Sequence, residues 1–444
     1  MDHTCLLVCP VLLILWAFLF TSCVSLGFED INTFHNQKSV DSVELDKQEF
    51  CYETTPGGCH RGPVIDELSS GEDALPARGQ VGGAAGVTGG GIQWDERGYV
   101  TLCQRMGNFG NQMETFLGML AFAKTLDRTL IIPHFTFISF LNGKTHQTVL
   151  FSELFQISPL LEYHRVVTMD VFLNKLAPKH WPPGQRKGYV FQTMTEDCNK
   201  ASCWRDLNPP IEFDECFLHK LTSFQVDIAD ERSMSNTRKS WNKKFPVKEH
   251  PVISLSIATP AFPMNAGNRK IQKFVKWNEF FVKMGMSYIN ETFGNNTWVG
   301  LHLRNGEDWV KACTPNSLAK HTFIMASPQC HDKKLGAVSQ DMCLPSVAHM
   351  LELTLKVVKD VNAKQLFIAT DKHPHLEDFR NLLLPIGVSV HHLNPKTPQV
   401  DLVILGQADY FIGTCPSSFT SFVKRDRDAN GRPSIFWGQE YIGF

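Results

Sequence analysis

From Trp298 onward the sequence alternates between strand-like and helix-like stretches, and this limits the folds open to it. Trp298-Val299-Gly300-Leu301-His302-Leu303-Arg304 reads as a strand. Val299, Leu301 and Leu303 fall on one face, and Gly300, His302 and Arg304 on the other. Asn305-Gly306-Glu307-Asp308 has turn chemistry. After a loop bearing Cys313, Cys330 and Cys343, a helix reads from about Ser346 to Val361, with Val347, Met350, Leu351, Leu355 and Val358 on one face. Gln365–Thr370 reads as a strand ending in Asp371, His375–Leu384 as a helix and Val388–Val390 as a strand. Gln399–Gln407 follows as a helix, Tyr410–Gly413 as a strand and Ser417–Arg427 as a helix. Strands alternating with helices imply a parallel, doubly wound α/β sheet.

A second unit of this kind begins near Trp94. Tyr99–Leu102 is a short strand, and Arg105–Gln112 a glycine-bearing loop. Phe116, Leu117, Leu120, Ala123 and Lys124 keep helical spacing, Leu126 closes the helix, and Thr129–Pro133 is the next strand. The loop is neither G-x-G-x-x-G nor a P-loop. Residues 134–265 have no clean period, and Ile271–Phe293 reads as a bridging helix. The expected division is 96–270 for an amino-terminal Rossmann-like domain and 271–444 for a carboxyl-terminal one, facing each other across a cleft.

What precedes them is different. Leu6–Phe20 is apolar apart from Pro10, and Ser22, Ser25 and Gly27 follow, so residues 1–27 read as a secretory signal. Counted to Phe28 the run approaches the ~20 residues of a membrane span, which keeps an uncleaved signal anchor open. Residues 28–95 are glycine-rich and aperiodic and read as a flexible stem, in which Cys51 and Cys59 could close a local loop. Past the leader an even number of cysteines remains, which in an exported chain suggests disulfides of undetermined connectivity. Sequons at Asn290 and Asn295 fit the same compartment. A net charge of −2 gives no whole-chain electrostatic case for nucleic acid.

Three features of the second domain share one sheet edge. Arg304 ends one strand, Asp371 ends the next, and Ser417-Ser418 open the last helix after Gly413. In open α/β sheets, ligands bind at this carboxyl edge. A guanidinium and a helix amino terminus both suit phosphate. Carboxylates such as Asp371 or Asp401 suit the hydroxyls or ring N–H groups of a nucleoside. The plainer readings are a structural ion pair for Arg304, a helix cap for Ser417 and core packing for Phe419. Asp426-Arg427-Asp428 matches the Asp-x-Asp string of manganese-dependent transferases, but it falls at a helix end and reads as a solvated charge cluster. His391-His392 and His373/His375 lack ligand spacing, and no metal is expected.

Several motifs then resemble one family. They are Met106-Gly107-Asn108-Phe109-Gly110-Asn111-Gln112, Lys175-Leu176-Ala177-Pro178 with His180-Trp181-Pro182-Pro183, and His302-Leu303-Arg304 with Asp308-Trp309. Met325-Ala326-Ser327-Pro328-Gln329-Cys330, Met342-Cys343-Leu344-Pro345, and Val400-Asp401-Leu402 through Ser418-Phe419-Thr420 complete the set. Together, over roughly Gly98 to Gly438, the chain resembles the EGF-domain-specific GDP-fucose protein O-fucosyltransferases. The resemblance implies a GT-B fold, with the first domain on the acceptor side and the second holding GDP-fucose. It implies inverting transfer of fucose to serine or threonine of folded EGF-like repeats, Notch receptors and ligands among them, without an essential metal or other cofactor. A monomer in the endoplasmic reticulum lumen is expected, or one anchored in the ER or Golgi by an uncleaved leader. By position, Arg304 would hold the β-phosphate and stabilise the departing diphosphate, and Asn111 would position acceptor or fucose. Asn108, Phe109, Gly110, Asn111, His302, Leu303, Arg304, Asp401, Ser418 and Phe419 would line the donor site, with Asp371 near the nucleoside. The resemblance also suggests the bridges Cys313–Cys343 and Cys330–Cys415, with Cys198–Cys203 as a local replacement.

The departures bear on activity. Asn108 stands where the family usually has arginine, and Cys103 lacks the family's nearby partner, with Arg105 in that place. The family's ER-retrieval tail is absent from Tyr441-Ile442-Gly443-Phe444, and a frequent family sequon is lost at Asp127-Arg128-Thr129. The other readings are a transferase for thrombospondin-type repeats and an EGF-repeat folding helper with weakened donor chemistry.

Overall fold

The structure is a computed structural model that describes residues 51–55, 58–61, 92–103, 107–139, 145–191, 211, 219–221, 231–255, 266–320, 338–393 and 398–443. The expected leader, Cys198, Cys203 and the Met325–Cys330 motif lie outside the described residues, as do the side chains of Cys51 and Cys59. The chain divides into two compact units, Met1–Cys51 with Arg61–Val64 and Tyr52–His60 with Ile65–Phe444. Within the segment read as a flexible stem, β1 (Cys51–Thr55) and β2 (Gly58–Arg61) pair as a two-stranded sheet.

The large unit contains two parallel sheets. The first joins β3 (Tyr99–Leu102), β4 (Thr129–Ile132), β7 (Val166–Thr168), β8 (Gly188–Phe191), β9 (His219–Leu221) and β10 (Val252–Leu255) in the order β7-β4-β3-β10-β8-β9. All its pairings are parallel. An antiparallel hairpin, β5 (Phe135–Ser139) with β6 (Thr145–Val149), is inserted after β4. The second sheet runs β13-β12-β11-β14-β15, built from β11 (Trp298–Leu303), β12 (Gln365–Thr370), β13 (Ser389–His392), β14 (Tyr410–Gly413) and β15 (Ser434–Phe436). It too is wholly parallel. Two doubly wound α/β domains of this kind make the expected GT-B fold.

The main helices are α1 (Phe109–Leu126), α2 (Glu231–Lys244), α3 (Glu279–Thr292), α4 (Glu307–Ala312), α5 (Val347–Asp360), α6 (Leu376–Leu383), α7 (Gln399–Gln407) and α8 (Ser418–Ala429). In α1, only Asn111 and Lys124 escape burial, which is why it shows no polar face. The segment read as one bridging helix is broken. A 3-10 helix covers Ala266–Phe274, and α3 starts only after Asn278, whose side chain accepts from Phe280 N–H at 3.0 Å. Asn is a strong amino-terminal cap, and it resets the helix there.

β11 divides its faces as its alternation requires. Val299, Leu301 and Leu303 pack in a core with α5 and Trp437, whereas Trp298 belongs to a different core. That other core is continuous across the unit. It runs from Val100 and α1 through Trp277 and Phe281 to Val400, Leu405, Phe411, Phe422 and Val423. The last helix, α8, packs on α1, on α7 and on the 3-10 helix. It lies between β14 and β15 of the second sheet in sequence but completes the packing of the first domain.

Candidate active site

The carboxyl ends of the two sheets come together through the amino termini of α1 and α8. Phe109, Gly110 and Asn111 form the first turn of α1, so the loop expected to reach Gln112 is shorter than its glycines suggest. Ser418 opens α8, and its Oγ donates to Asn111 Oδ1 at 2.6 Å, joining residues 307 apart. Gly110 makes this approach feasible. A Cβ there would lie 2.6 Å from Ser418 Oγ and 2.8 Å from Phe419 N. Asn108 and Ser417 hold the two amino-terminal cap positions, yet neither side chain caps its helix. Ser417 is thus not the capping serine its position suggested. Two helix amino termini converge with first-turn N–H groups not taken up by their caps, a field suited to a polyanion.

Arg304 follows β11 at this edge. Its N–H donates to Thr414 Oγ1 at 3.3 Å, and its guanidinium donates to Asp308 at 2.6 Å and pairs with Asp371. The guanidinium also lies 5.2 Å from the Trp309 ring. Asp371 accepts from Asn305 N–H at 2.9 Å and Gly306 N–H at 3.1 Å. Its carboxylate therefore shapes the Arg304 turn and is already engaged on both oxygens. Gly306 is needed here because a Cβ would strike Asp371. The expected turn is only Asn305-Gly306, since α4 starts at Glu307.

His302 is buried beside them. Its Nδ1 is 2.6 Å from Thr420 Oγ1, and its ring stacks on Phe419 with centroids 4.7 Å apart. Burial, and then the nearby Arg304 charge, push the imidazole down to about 3, so it is neutral at ordinary pH. The partly buried Phe419 thus meets a ring at the site as well as the core. Asp401, in the first turn of α7, is buried with Oδ1 unpartnered, and burial pushes its carboxyl well above the usual range. That oxygen is sealed from solvent, so it is the other carboxyl oxygen of Asp401 that is open to an N–H donor of a ligand.

Two expected donor-site side chains point elsewhere. The Phe109 ring stacks with Trp277 and Phe155 in the core, and Leu303 packs in the core on α5. Each can reach a ligand only through its backbone. Alternation gives this for Leu303, whereas Phe109 looked like loop. Cys313 and Cys343 are bonded as the resemblance suggested. Cys415 is also in a disulfide, as is Cys103 despite lacking its family partner. Asn290 and Asn295 are exposed.

Asp426-Arg427-Asp428 is not the solvated cluster expected. Arg427 is fully buried, donating to the carbonyls of Leu405, Ala408 and Pro433, and burial raises the Asp426 carboxyl. Its role is to stitch α8 to the end of α7. Among the described residues, no three His, Cys, Asp or Glu side chains are placed to hold a metal ion. A polar cavity of about 280 Å³ starts at Ser421, a turn beyond Ser418, and runs along α8 past Lys424 and Arg425 without including Arg304. Sequence reading gave no role to Thr414 or Trp437. Both fasten the end of β11, donating to the His302 carbonyl at 3.3 Å each. No periodicity marks such residues, because their importance lies in contacts across the sheet.

A family described as GDP-fucose protein O-fucosyltransferase matches residues 99–430. GDP-fucose protein O-fucosyltransferase 1 of Caenorhabditis elegans is 34% identical over 357 residues, covering 78% of this chain and 91% of the relative. The crystal structure of POFUT1 in complex with GDP-fucose is similar at a TM-score of 0.68 and 34% identity, over 78% of this chain and 100% of that one. POFUT1 in complex with GDP gives a TM-score of 0.66 at 33% identity, with the same coverage.

Proposed function

The chain belongs to the GDP-fucose protein O-fucosyltransferase family, and from that premise we propose that it transfers fucose, with inversion and without an essential metal, from GDP-fucose to serine or threonine of folded EGF-like repeats. Peptide O-fucosyl transfer is the activity that membership carries. The acceptor class, the stereochemistry and the secretory compartment are the finer parts of the proposal. Leader, sequons and disulfides support an endoplasmic reticulum setting, with EGF repeats of secreted or membrane proteins as partners.

The observation that carries the reading is the meeting of the amino termini of α1 and α8 through Ser418 and Asn111, with the backbone of Arg304 tied to Thr414 just ahead of α8. As the bond from fucose C1 to the β-phosphate oxygen breaks, negative charge grows on the diphosphate. A guanidinium and oriented N–H groups stabilise that charge where it develops. The acceptor oxygen then bonds to C1 from the opposite face, its proton passing to water or to the departing diphosphate. A loose, oxocarbenium-like transition state asks more of leaving-group stabilisation than of deprotonation. Asn111 would position the acceptor or the sugar. Before donor binds, Arg304 is neutralised by Asp308 and Asp371, so a diphosphate must compete for it. Asp401 would accept base N–H groups, and Phe419 would flank the nucleotide.

The test is a GDP-fucose transfer assay on one folded EGF repeat and one thrombospondin repeat, each with and without a chelator. Transfer to the EGF repeat alone, undiminished by chelator, is expected. Arg304→Ala should lower turnover by roughly 10²–10³, as for loss of a transition-state charge donor, with an unchanged circular dichroism spectrum. Near-normal turnover in that variant contradicts the mechanism. Asn108, in place of the family arginine, also favours a folding-helper reading, which calorimetry with GDP addresses: absent binding leaves the helper.

A further inference from the structure

The reading of the donor site leaves open what sets the state of His302, and the structure answers it through Thr420. Thr420 is fully buried in the first turn of α8. Its Oγ1 accepts from Thr414 N–H at 3.1 Å and lies 2.6 Å from His302 Nδ1. A hydroxyl has one hydrogen to give. The Thr414 contact uses Oγ1 as acceptor, because an amide N–H can only donate. The hydroxyl makes no other hydrogen bond among the described residues, so its hydrogen goes to Nδ1. The opposite arrangement, Nδ1–H donating to Oγ1, would strand that hydrogen in a sealed place. A neutral imidazole whose Nδ1 accepts carries its proton on Nε2.

We propose that Thr420 is a positioning residue of the donor site, holding His302 in the Nε2–H form so that the ring presents one neutral donor to an oxygen acceptor on the nucleotide sugar. This rests on the donor-site reading above. Three further contacts make the arrangement rigid. The ring is stacked on Phe419, Thr414 bridges Arg304 N–H and the His302 carbonyl through its own hydroxyl, and Trp437 holds the same carbonyl. Nε2 makes no hydrogen bond within the described residues and is not among the side-chain atoms sealed from solvent without a partner. It is the ring atom left available to a ligand. A neutral donor next to Arg304 avoids the repulsion that an imidazolium would meet there. The arrangement parallels metal-bound histidines, whose second nitrogen is fixed by a partner that sets the tautomer.

The experiment combines nitrogen-15 NMR of the histidine side chains with GDP calorimetry on the full chain. His302 should show the Nε2–H pattern, assigned by its loss in His302→Gln. Thr420→Val should lose the fixed pattern and weaken GDP binding roughly 10-fold, the lower end for loss of an orienting partner, while Thr420→Ser restores both. Should Thr420→Val fail to fold, the histidine itself serves. Gln keeps an amide nitrogen near the Nε2 position, and Asn only near Nδ1, so His302→Gln should bind GDP more tightly than His302→Asn. An Nδ1–H pattern in the native protein, unaltered GDP affinity in folded Thr420→Val, or Asn matching Gln overturns the proposal. A native chain that shows the Nε2–H pattern but neither binds GDP nor transfers fucose would sink the enzymatic reading and leave the positioning of the ring standing.

Discussion

Gly110 is the residue on which the site's geometry turns most narrowly. Its missing side chain lets α1 touch the backbone of α8, and part of that backbone, Phe419 N, cannot rotate away as a flexible side chain could. Gly110→Ala should move the α8 amino terminus by some tenths of an ångström. Displacements near 1 Å can cost about 100-fold in rate, so we expect transfer to fall at least 10-fold while far-UV circular dichroism stays native. Retained transfer would show that the helix ends need not meet. Arg304 and Ser418 were legible in the sequence, because guanidinium and helix-opening serine carry recognisable chemistry at a sheet edge. Thr414, Thr420 and the need for glycine at Gly110 were not. Each matters only through a partner more than a hundred residues away or across a helix contact, and no local pattern encodes that.

At the scale of elements, α7 and β14 fall where the sequence places them, and β11 and β12 nearly so. These runs are apolar and bounded by polar turns, which fixes their ends. The region 134–265 was opaque because its strands are three to five residues long, too short for a period to show. β15 was missed for the same reason. The contact between α1 and α8 hinges on a buried ion pair that no sequence window contains. Glu114 pairs with Arg425, which also donates to Gln272 at 3.1 Å, and the paired side chains are 0% and 2% exposed. Removing one partner takes the counter-charge from the other in a buried place, so Arg425→Met should destabilise by roughly 3–5 kcal/mol, whereas Glu114→Leu with Arg425→Met should recover most of it. Urea unfolding of the single and double variants measures this. Equal losses in both would mean that the charges are not coupled.

For the whole molecule, burial of ionisable groups sets how stability follows pH. Burial pushes His302 down to about 3 and His164 to about 4. The unfolded chain protonates both near pH 6.5, so between there and about pH 4 it binds two protons that the folded chain does not, and stability falls with acid by about 1.4 kcal/mol per pH unit for each. His134 and His391 are lowered by burial too and act in the same direction. Asp401 opposes them. Its folded carboxyl keeps a proton that the unfolded one gives up near pH 3.8, so it contributes more as pH falls. Asp401→Asn should therefore steepen the loss of unfolding free energy between pH 7 and 5, read by denaturant titration at each pH, and an unchanged slope counts against a buried neutral carboxyl. The two-domain α/β architecture was legible from strand–helix alternation. What alternation could not reveal is that the two domains share one core. That sharing has a consequence during synthesis. Amino-terminal residues leave the ribosome first, yet Phe422 and Val423, which help close the core around α1, follow it only after the second domain's first four strands. The first domain cannot finish folding until α8 has left the ribosome. Nascent chains stalled before Ser418 should be digested readily by protease, and chains released at full length should resist; early resistance would show that the first domain closes without the last helix.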